Sequence, residues 1–199
     1  MIAHKKSVVQ SKKICLKEYH MRVIAGKYKR FPLTAPKGVT SRPTTDKIKE
    51  TMFNILGPME GIGLDLFAGS GGLGVEALSR GLSKVIFVDG SFDAIQMIKK
   101  NTSFVEEDVE IYKNDYKRAL KALNKRDVQF DMIFLDPPYQ KNIVNEALPL
   151  IQSFDLLAKG GQILIECEKN EQIDTLDFEV VKNETYGITK LIILRGKHE

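Results

Sequence analysis

From residue 44 onward the chain alternates short apolar runs with stretches of helical periodicity, and that alternation predicts its architecture. I-G-L-D-L-F (62–67) reads as a buried strand. K-V-I-F-V-D (84–89), V-E-I-Y (109–112), F-D-M-I-F-L-D (130–136) and Q-I-L-I-E-C (162–167) read as four more. V-E-A-L-S-R continues a helix of small residues after the first strand. Residues 91–102, with Ile95, Ile98 and Lys99 at helical spacing, and residues 116–123 and 143–152 supply the other crossovers. Ahead of them, Ile48, Met52, Ile55 and Leu56 share one face of a helix capped by Thr44 or Thr45 and ended by Gly57-Pro58. The tail F-E-V-V-K-N-E-T-Y-G-I-T-K-L-I-I-L-R reads as two strands turned at Tyr186-Gly187, with no helix between them. Alternating strands and helices imply a mostly parallel sheet covered on both faces, here of seven strands, and the tail hairpin inserts one antiparallel strand.

Upstream, M-R-V-I-A-G-K-Y-K-R-F-P-L-T-A-P alternates around Gly26 and predicts a small β-hairpin, followed by loop over 37–43. Residues 1–20 are basic and aperiodic. They read as a disordered arm, or as an extension ahead of a natural start at Met21. The expected organisation is therefore an extension (1–20), a hairpin and loop (21–43) and one α/β domain (44–199).

Composition adds a few exclusions. With 43% apolar and 28% charged residues, the chain suits a soluble globule with a substantial core. Cys15 and Cys167 lie in no C-x-x-C or Cys/His cluster, so neither a metal nor a disulfide is expected, and a reducing cytoplasmic setting fits. No apolar run reaches the roughly 18 residues of a membrane span, and no apolar region follows the N-terminal lysines as in a secretory signal. The net charge of +4 does not by itself establish a nucleic-acid partner. Its distribution says more: between His4 and Lys37 the only acid is Glu18.

The first strand runs into D-L-F-A-G-S-G-G-L-G (65–74), where Gly69, Gly71 and Gly74 match G-x-G-x-x-G. Such glycines let the backbone turn tightly at a helix N-terminus and approach a ligand. The spacing alone also fits a dehydrogenase or a plain tight turn. Two acids point to S-adenosylmethionine instead. Asp65 ends the strand ahead of the glycines, where a carboxylate suits a cationic amino or sulfonium group and would repel a pyrophosphate. Asp89 ends the next strand about 20 residues on, where a carboxylate binds ribose hydroxyls. Asp115, after the third strand, either accepts the adenine amino group or caps the following helix.

The fourth strand ends in D-P-P-Y, Asp136 to Tyr139. Ligands of open α/β sheets bind at this end of the strands. Pro137 and Pro138 stiffen the backbone and remove two N–H donors, leaving carbonyls beside an acceptor carboxylate. That suits an amino group, whose hydrogens both need acceptors, and Tyr139 offers a flat face for a base. The implied chemistry is direct methyl transfer to an exocyclic amine. Asp136 and the Pro137 carbonyl would localise and aim the nitrogen lone pair. Nothing resembles the P-C loop of a cytosine-C5 methylase, so a cysteine nucleophile is not expected.

The motifs M-R-V-I-A-G, R-P-T-T-D-K-I-K-E-T-M-F-N-I-L, D-L-F-A-G-S-G-G-L-G-V-E-A-L-S-R-G, D-P-P-Y and Y-G-I-T-K-L-I-I-L-R together resemble the RsmD-type small-subunit (16S) rRNA guanine-N2 methyltransferases, over nearly all of 21–195. The resemblance implies a Rossmann-like S-adenosylmethionine-dependent methyltransferase fold with an N-terminal β-hairpin, and a guanine in small-subunit rRNA as target, free or within the 30S particle. It implies cofactor binding by Asp65, Phe67, Gly69, Ser70, Gly71, Asp89 and Asp115 and catalysis by Asp136, Pro137, Pro138 and Tyr139, in a monomer without metal. Family members often have Gly-Arg where this chain has Arg30-Phe31, and Glu where it has Asp89.

Arg22, Lys27, Lys29, Arg30, Lys37 and Arg42 fall in one stretch without acids just ahead of this site. A solvated basic face would look the same. Beside a base-methylation site, which must hold the backbone flanking an extruded base, Arg22, Lys27, Lys29, Arg30 and Arg42 are expected to grip RNA phosphates. Two other functions fit parts of the pattern: a DNA adenine-N6 methyltransferase, which also uses this tetrapeptide but needs more surface to read sequence, and a catalytically silent RNA-binding assembly factor, which would not need an intact Asp136.

Overall fold

The central strands are apolar on both sides because helices cover both faces of the sheet. In the computed structural model, which describes residues 21–35, 43–138 and 142–196, β1 (Met21–Arg22) and β2 (Pro32–Leu33) form the N-terminal hairpin. The chain continues through α1 (Pro43–Leu56), β3 (Ile62–Asp65), α2 (Gly72–Ser79), β4 (Lys84–Asp89), α3 (Phe92–Asn101) and β5 (Asp108–Lys113). Then come α4 (Tyr116–Asn124), β6 (Phe130–Leu135), α5 (Ile143–Ser153), β7 (Leu157–Glu168), β8 (Glu179–Tyr186) and β9 (Thr189–Arg195). The proposed arm over 1–20, and residues 37–42 of the expected loop, lie outside the described residues.

The sheet order is β5-β4-β3-β6-β7-β9-β8. All neighbouring pairs from β5 to β7 are parallel, and β9 runs antiparallel to both β7 and β8. The tail hairpin therefore inserts one antiparallel strand, as its pattern predicts. The two-residue strands of the N-terminal hairpin pair Met21 with Leu33 and Arg22 with Pro32.

Side-chain alternation splits the core in two. Ile86, Val88, Ile133, Leu135, Ile163 and Ile165 face α4 and α5 through Leu120, Leu123, Val144, Leu148 and Ile151. Val85, Phe87, Met132, Phe134 and Leu164 face the other way, onto α1, α2, α3 and the hairpin, through Met52, Phe53, Val75, Leu78, Ile98, Val23 and Leu33. Fully burying each of the larger side chains contributes about 1.5–3 kcal/mol, which is what holds helices of only 8 to 14 residues in place.

Several boundaries differ from expectation, and three of them have a clear physical reason. The first helix begins at Pro43, so both candidate threonine caps lie inside it; proline at the first helical position needs no N–H partner. The strand expected over 62–67 ends at Asp65, because Leu66 and Ala68 N–H turn to the Phe134 and Val88 carbonyls and lead the chain into the glycine loop. The strand expected from 162 begins at Leu157, since an irregularity between Phe130 and Met132 lets Leu157 pair with Phe130 ahead of the regular ladder.

After β3 the chain builds outward to β4 and β5, then returns to β6 and β7 on the other side of β3. That reversal, between β3 and β6, is where an open α/β sheet opens a crevice at the carboxyl ends of its strands.

Candidate active site and nucleic-acid interface

Asp65 is the last residue of β3 and is 2% exposed. Its Oδ2 accepts a hydrogen bond from the Gly74 N–H at 3.0 Å. Burial pushes its carboxyl up to about 7; the Gly74 bond lowers it and the Asp89 charge raises it. Asp65 pairs in register with Phe134, so Asp136 lies two residues further along the adjacent strand path. Asp136 is half-buried, with Pro137 buried and Pro138 exposed beside it. Its carboxyl is held well above the usual carboxylate range by burial first, then by the charges of Glu166 and Asp65. Glu166 follows Ile165, the β7 partner of Leu135, so it stands on the adjacent strand at the level of Asp136.

Among the described residues, no Lys or Arg forms an ion pair with Asp65, Asp89 or Asp136. Buried carboxylates without counter-charge are costly. A cationic ligand at this point would relieve the cost, so the donor set fits a sulfonium cofactor. No group of three or more His, Cys, Asp or Glu able to hold a metal occurs among the described residues.

The glycine loop sits directly above these acids. Gly69 and Gly71 have φ of 53° and 79°, the left-handed region that glycine enters freely, and Gly71 is the N-cap residue just before α2. Asp89 fastens the loop: its Oδ2 accepts from Gly69 N–H and its Oδ1 from Ser91 N–H, each at 2.8 Å. Each of its oxygens keeps a further lone pair for a ligand hydroxyl. Asp115 caps α4, its Oδ1 accepting from Lys117 and Arg118 N–H, and the cap does not use Oδ2. The Phe67 ring packs at 5.4 Å from that of Tyr116. The Ser70 hydroxyl approaches the Met21 sulfur at 3.6 Å, which brings the loop against the hairpin. Tyr139 lies outside the described residues.

The hairpin is seated on α2 by groups the sequence reading did not single out. Glu76 is fully buried, and it accepts from Ile24 N–H at 2.7 Å, Ala25 N–H at 3.0 Å and Arg80 Nε at 2.7 Å, with Lys49 Nζ at 3.9 Å. Ser79 Oγ donates to the Ala25 carbonyl and accepts from Tyr28 N–H. Asn101, 2% exposed, accepts from Thr34 N–H and donates to the carbonyls of Thr34 and Ser70, so one amide ties the hairpin to the glycine loop. A polar residue among apolar helix positions is the one sequence signal for Glu76, and the charge inside I-L-I-E-C is the signal for Glu166.

The expected RNA contacts separate into two kinds. Arg22 Nε lies 3.5 Å from Asp46, and Lys27 Nζ lies 2.9 Å and 2.8 Å from Glu106 and Glu107. Those acids push the Lys27 ammonium further up, Glu107 most. Lys29 and Arg30 are exposed and form no ion pair among the described residues; Arg42 and Lys37 fall outside them. Arg30 has φ 72°, a conformation glycine would adopt without strain.

Comparison with known proteins gives a consistent result. The chain is 46% identical over 183 residues to YlbH of Bacillus subtilis (strain 168), provisionally named an rRNA methyltransferase, covering 89% of this chain and 100% of that one. It is 35% identical to the ribosomal RNA small subunit methyltransferase D of Haemophilus influenzae, over 84% of this chain and 90% of the relative. A solved structure of the Escherichia coli protein yhhF, provisionally named a methyltransferase, superposes with a TM-score of 0.77 at 26% identity, covering 90% of this chain and 99% of that one. The architecture is the fold of S-adenosylmethionine-dependent methyltransferases. The family described as conserved hypothetical protein 95 matches residues 21–195, and the chain belongs to this RsmD-type methyltransferase family.

Proposed function

We propose that the protein methylates the exocyclic N2 of a guanine in small-subunit (16S) rRNA, with S-adenosylmethionine as cofactor, by direct transfer. The observation that carries this reading is the convergence of Asp65 and Asp136 at the β3/β6 switch point, with no protein cation paired to either among the described residues. The rRNA substrate is supported by family membership and by the small-subunit name of the Haemophilus influenzae relative.

S-adenosylmethionine supplies an electrophilic methyl group on a sulfonium centre. The residues that would hold it are Asp65, nearest the cationic part, the Gly69–Gly71 loop with Phe67 and Ser70, Asp89 toward the ribose and Asp115 toward the base. Asp136 and the Pro137 carbonyl would accept the two hydrogens of the guanine amine, whose lone pair is otherwise delocalised into the ring. Their value is greatest as the nitrogen develops positive charge. A cation beside Asp65 also draws the Asp65 and Asp136 carboxyls back toward their ionised forms, so filling the cofactor site readies the acceptor. Tyr139 would stack the extruded base, with Lys29, Arg30 and Arg42 on flanking phosphates.

The test uses small ribosomal subunits from cells lacking the protein, incubated with labelled S-adenosylmethionine and digested to nucleosides for mass spectrometry. The expected product is labelled N2-methylguanosine. Labelled N6-methyladenosine would transfer the site to the adenine chemistry, and absence of label at saturating enzyme would leave a non-catalytic binding role.

A further inference from the structure

Lys29, Arg30 and Phe31 follow one another on the hairpin, and all three are exposed. Their backbone is nevertheless firmly held. Lys29 N–H donates to the Gly26 carbonyl at 3.2 Å, Arg30 N–H to Val23 at 2.8 Å and Phe31 N–H to Tyr28 at 3.0 Å, while the Phe31 carbonyl accepts from Val23 N–H at 3.0 Å. The turn is also pressed onto α2: Lys27 N–H donates to the Ser79 carbonyl at 2.7 Å, and a Cβ on Gly26 would stand 1.8 Å from that same oxygen. A backbone so fixed has little freedom of its own left to lose when its side chains meet a partner.

Two features of this tip carry a cost for the fold. Phe31 leaves 41% of its surface in solvent. One face of its ring stacks on Phe104, with centroids 3.5 Å apart and planes at 24°, and Tyr28 braces Phe104 edge-on at 5.3 Å. Among the described residues no other ring packs on Phe31, and the surface it leaves in solvent is available to a partner. Arg30 holds a left-handed φ of 72°, which is unfavourable for a long side chain. Strain kept at an exposed position points to function more than to folding. The neighbouring Arg22 and Lys27 are answered by acids, whereas Lys29 and Arg30 are not, among the described residues.

We propose that this tip is a second RNA-contact surface, on which an unpaired base of the small-subunit rRNA, other than the target guanine, stacks on the exposed surface of Phe31 while Lys29 and Arg30 hold its phosphates. The inference rests on the rRNA reading above, which already sets Lys29 and Arg30 on phosphates, and adds to it a base stacked on Phe31. An aromatic ring backed on one side, held nearly parallel to its support and preceded in the chain by two exposed cations that form no ion pair among the described residues is complementary to a nucleotide, with a flat base and an anionic link. An acidic peptide would use the cations and leave the ring face idle. Phe104 and Tyr28 act as positioning residues, fixing the plane of the Phe31 ring.

The chain contains no tryptophan, so Phe31→Trp introduces a single reporter at the surface in question. Titration with a short oligoadenylate is expected to quench its fluorescence, and an abasic ribose-phosphate chain of equal length is expected not to. Phe31→Leu, which stays apolar but loses the flat face, should weaken binding of deproteinised small-subunit rRNA about tenfold and raise the KM for intact subunits comparably. Arg30→Gly relieves the left-handed backbone, so the melting temperature should hold or rise while RNA affinity falls and its salt dependence flattens. A purely structural role would move stability and affinity together. An unquenched Phe31→Trp protein at saturating RNA, or wild-type RNA affinity in Phe31→Leu, overturns the proposal. A loss confined to intact subunits assigns the patch to a ribosomal protein and also overturns it. If wild-type protein transfers no methyl group to subunits while Phe31→Trp is still quenched, the methyltransfer reading fails and the RNA surface stands.

Discussion

Two buried acids, eleven residues apart in sequence, behave oppositely. Glu76 on α2 is enclosed by donors: two backbone N–H groups of the hairpin, the Arg80 guanidinium and, slightly further away, the Lys49 ammonium. Asp65 at the end of β3 has one backbone donor, and the charge that acts on it is that of another acid, Asp89. The first arrangement is complete and fastens one part of the chain to another. The second is costly and incomplete until something cationic arrives. Burial alone does not identify a functional acid; the missing counter-charge does.

The comparison can be broken at several points. The largest effect is expected at the incomplete site. Asp136→Ala should lower methyl transfer by about 10³-fold, the loss typical of one positioned polar group in a transition state, while calorimetry finds S-adenosylmethionine affinity close to wild type. Comparable loss of both would make Asp136 a cofactor ligand instead.

Glu76→Ala should cost stability, not chemistry. Removing one partner of a buried charge cluster costs about 3–5 kcal/mol, and in a chain of this size the melting temperature should fall by roughly 10 °C. A Glu76→Ala protein that melts like wild type would mean that the hairpin is not held through this side chain.

Gly26→Ala should disturb the same seat from the other side. The added methyl meets the Ser79 carbonyl, and φ is +83° at that residue, so a loss of about 2 kcal/mol is expected in thermal or denaturant unfolding. The smallest effect belongs to Lys27→Ala. Its exposed ion pairs with Glu106 and Glu107 contribute little, so both melting temperature and the KM for subunits should stay at wild-type values. Lys29→Ala in parallel should raise that KM. Equal behaviour of the two lysines would remove the distinction between answered and unanswered cations.

Much of this was legible in the chain. The sheet strands buried on both faces read as apolar runs, and the tail as a hairpin, because local pattern determines both. Asp65, Asp89 and Asp136 stood out because the strand–glycine–helix context and D-P-P-Y place them at strand ends. What local pattern could not give was pairing over long separations. Glu76 reads as an ordinary helix acid until the hairpin, some fifty residues upstream, closes over it. Arg22 and Lys27 read as an open basic face because Asp46, Glu106 and Glu107 lie far along the chain. Asn101 is invisible as a link between Thr34 and Ser70 for the same reason. Boundaries shifted where geometry outweighs hydrophobicity, as at Pro43 and at the irregular start of β7.

The central claim is that the strand-end acids await a cation, and proton-linked binding tests it most directly. With the Asp65 carboxyl raised to about 7, the unliganded protein holds this proton below that pH. Its ionisation, as pH climbs from the ordinary aspartate value through 7, costs the unliganded fold stability. A cationic ligand favours the charged form, so binding should expel a proton below pH 7, and affinity should strengthen as pH rises toward 8. Titration calorimetry of S-adenosylmethionine between pH 6 and 8, in buffers of different ionisation enthalpy, reads both quantities. The account predicts proton release that diminishes above pH 7 and is lost, together with most of the affinity, in Asp65→Asn. Binding without proton release, at an affinity independent of pH and unchanged in Asp65→Asn, would contradict it.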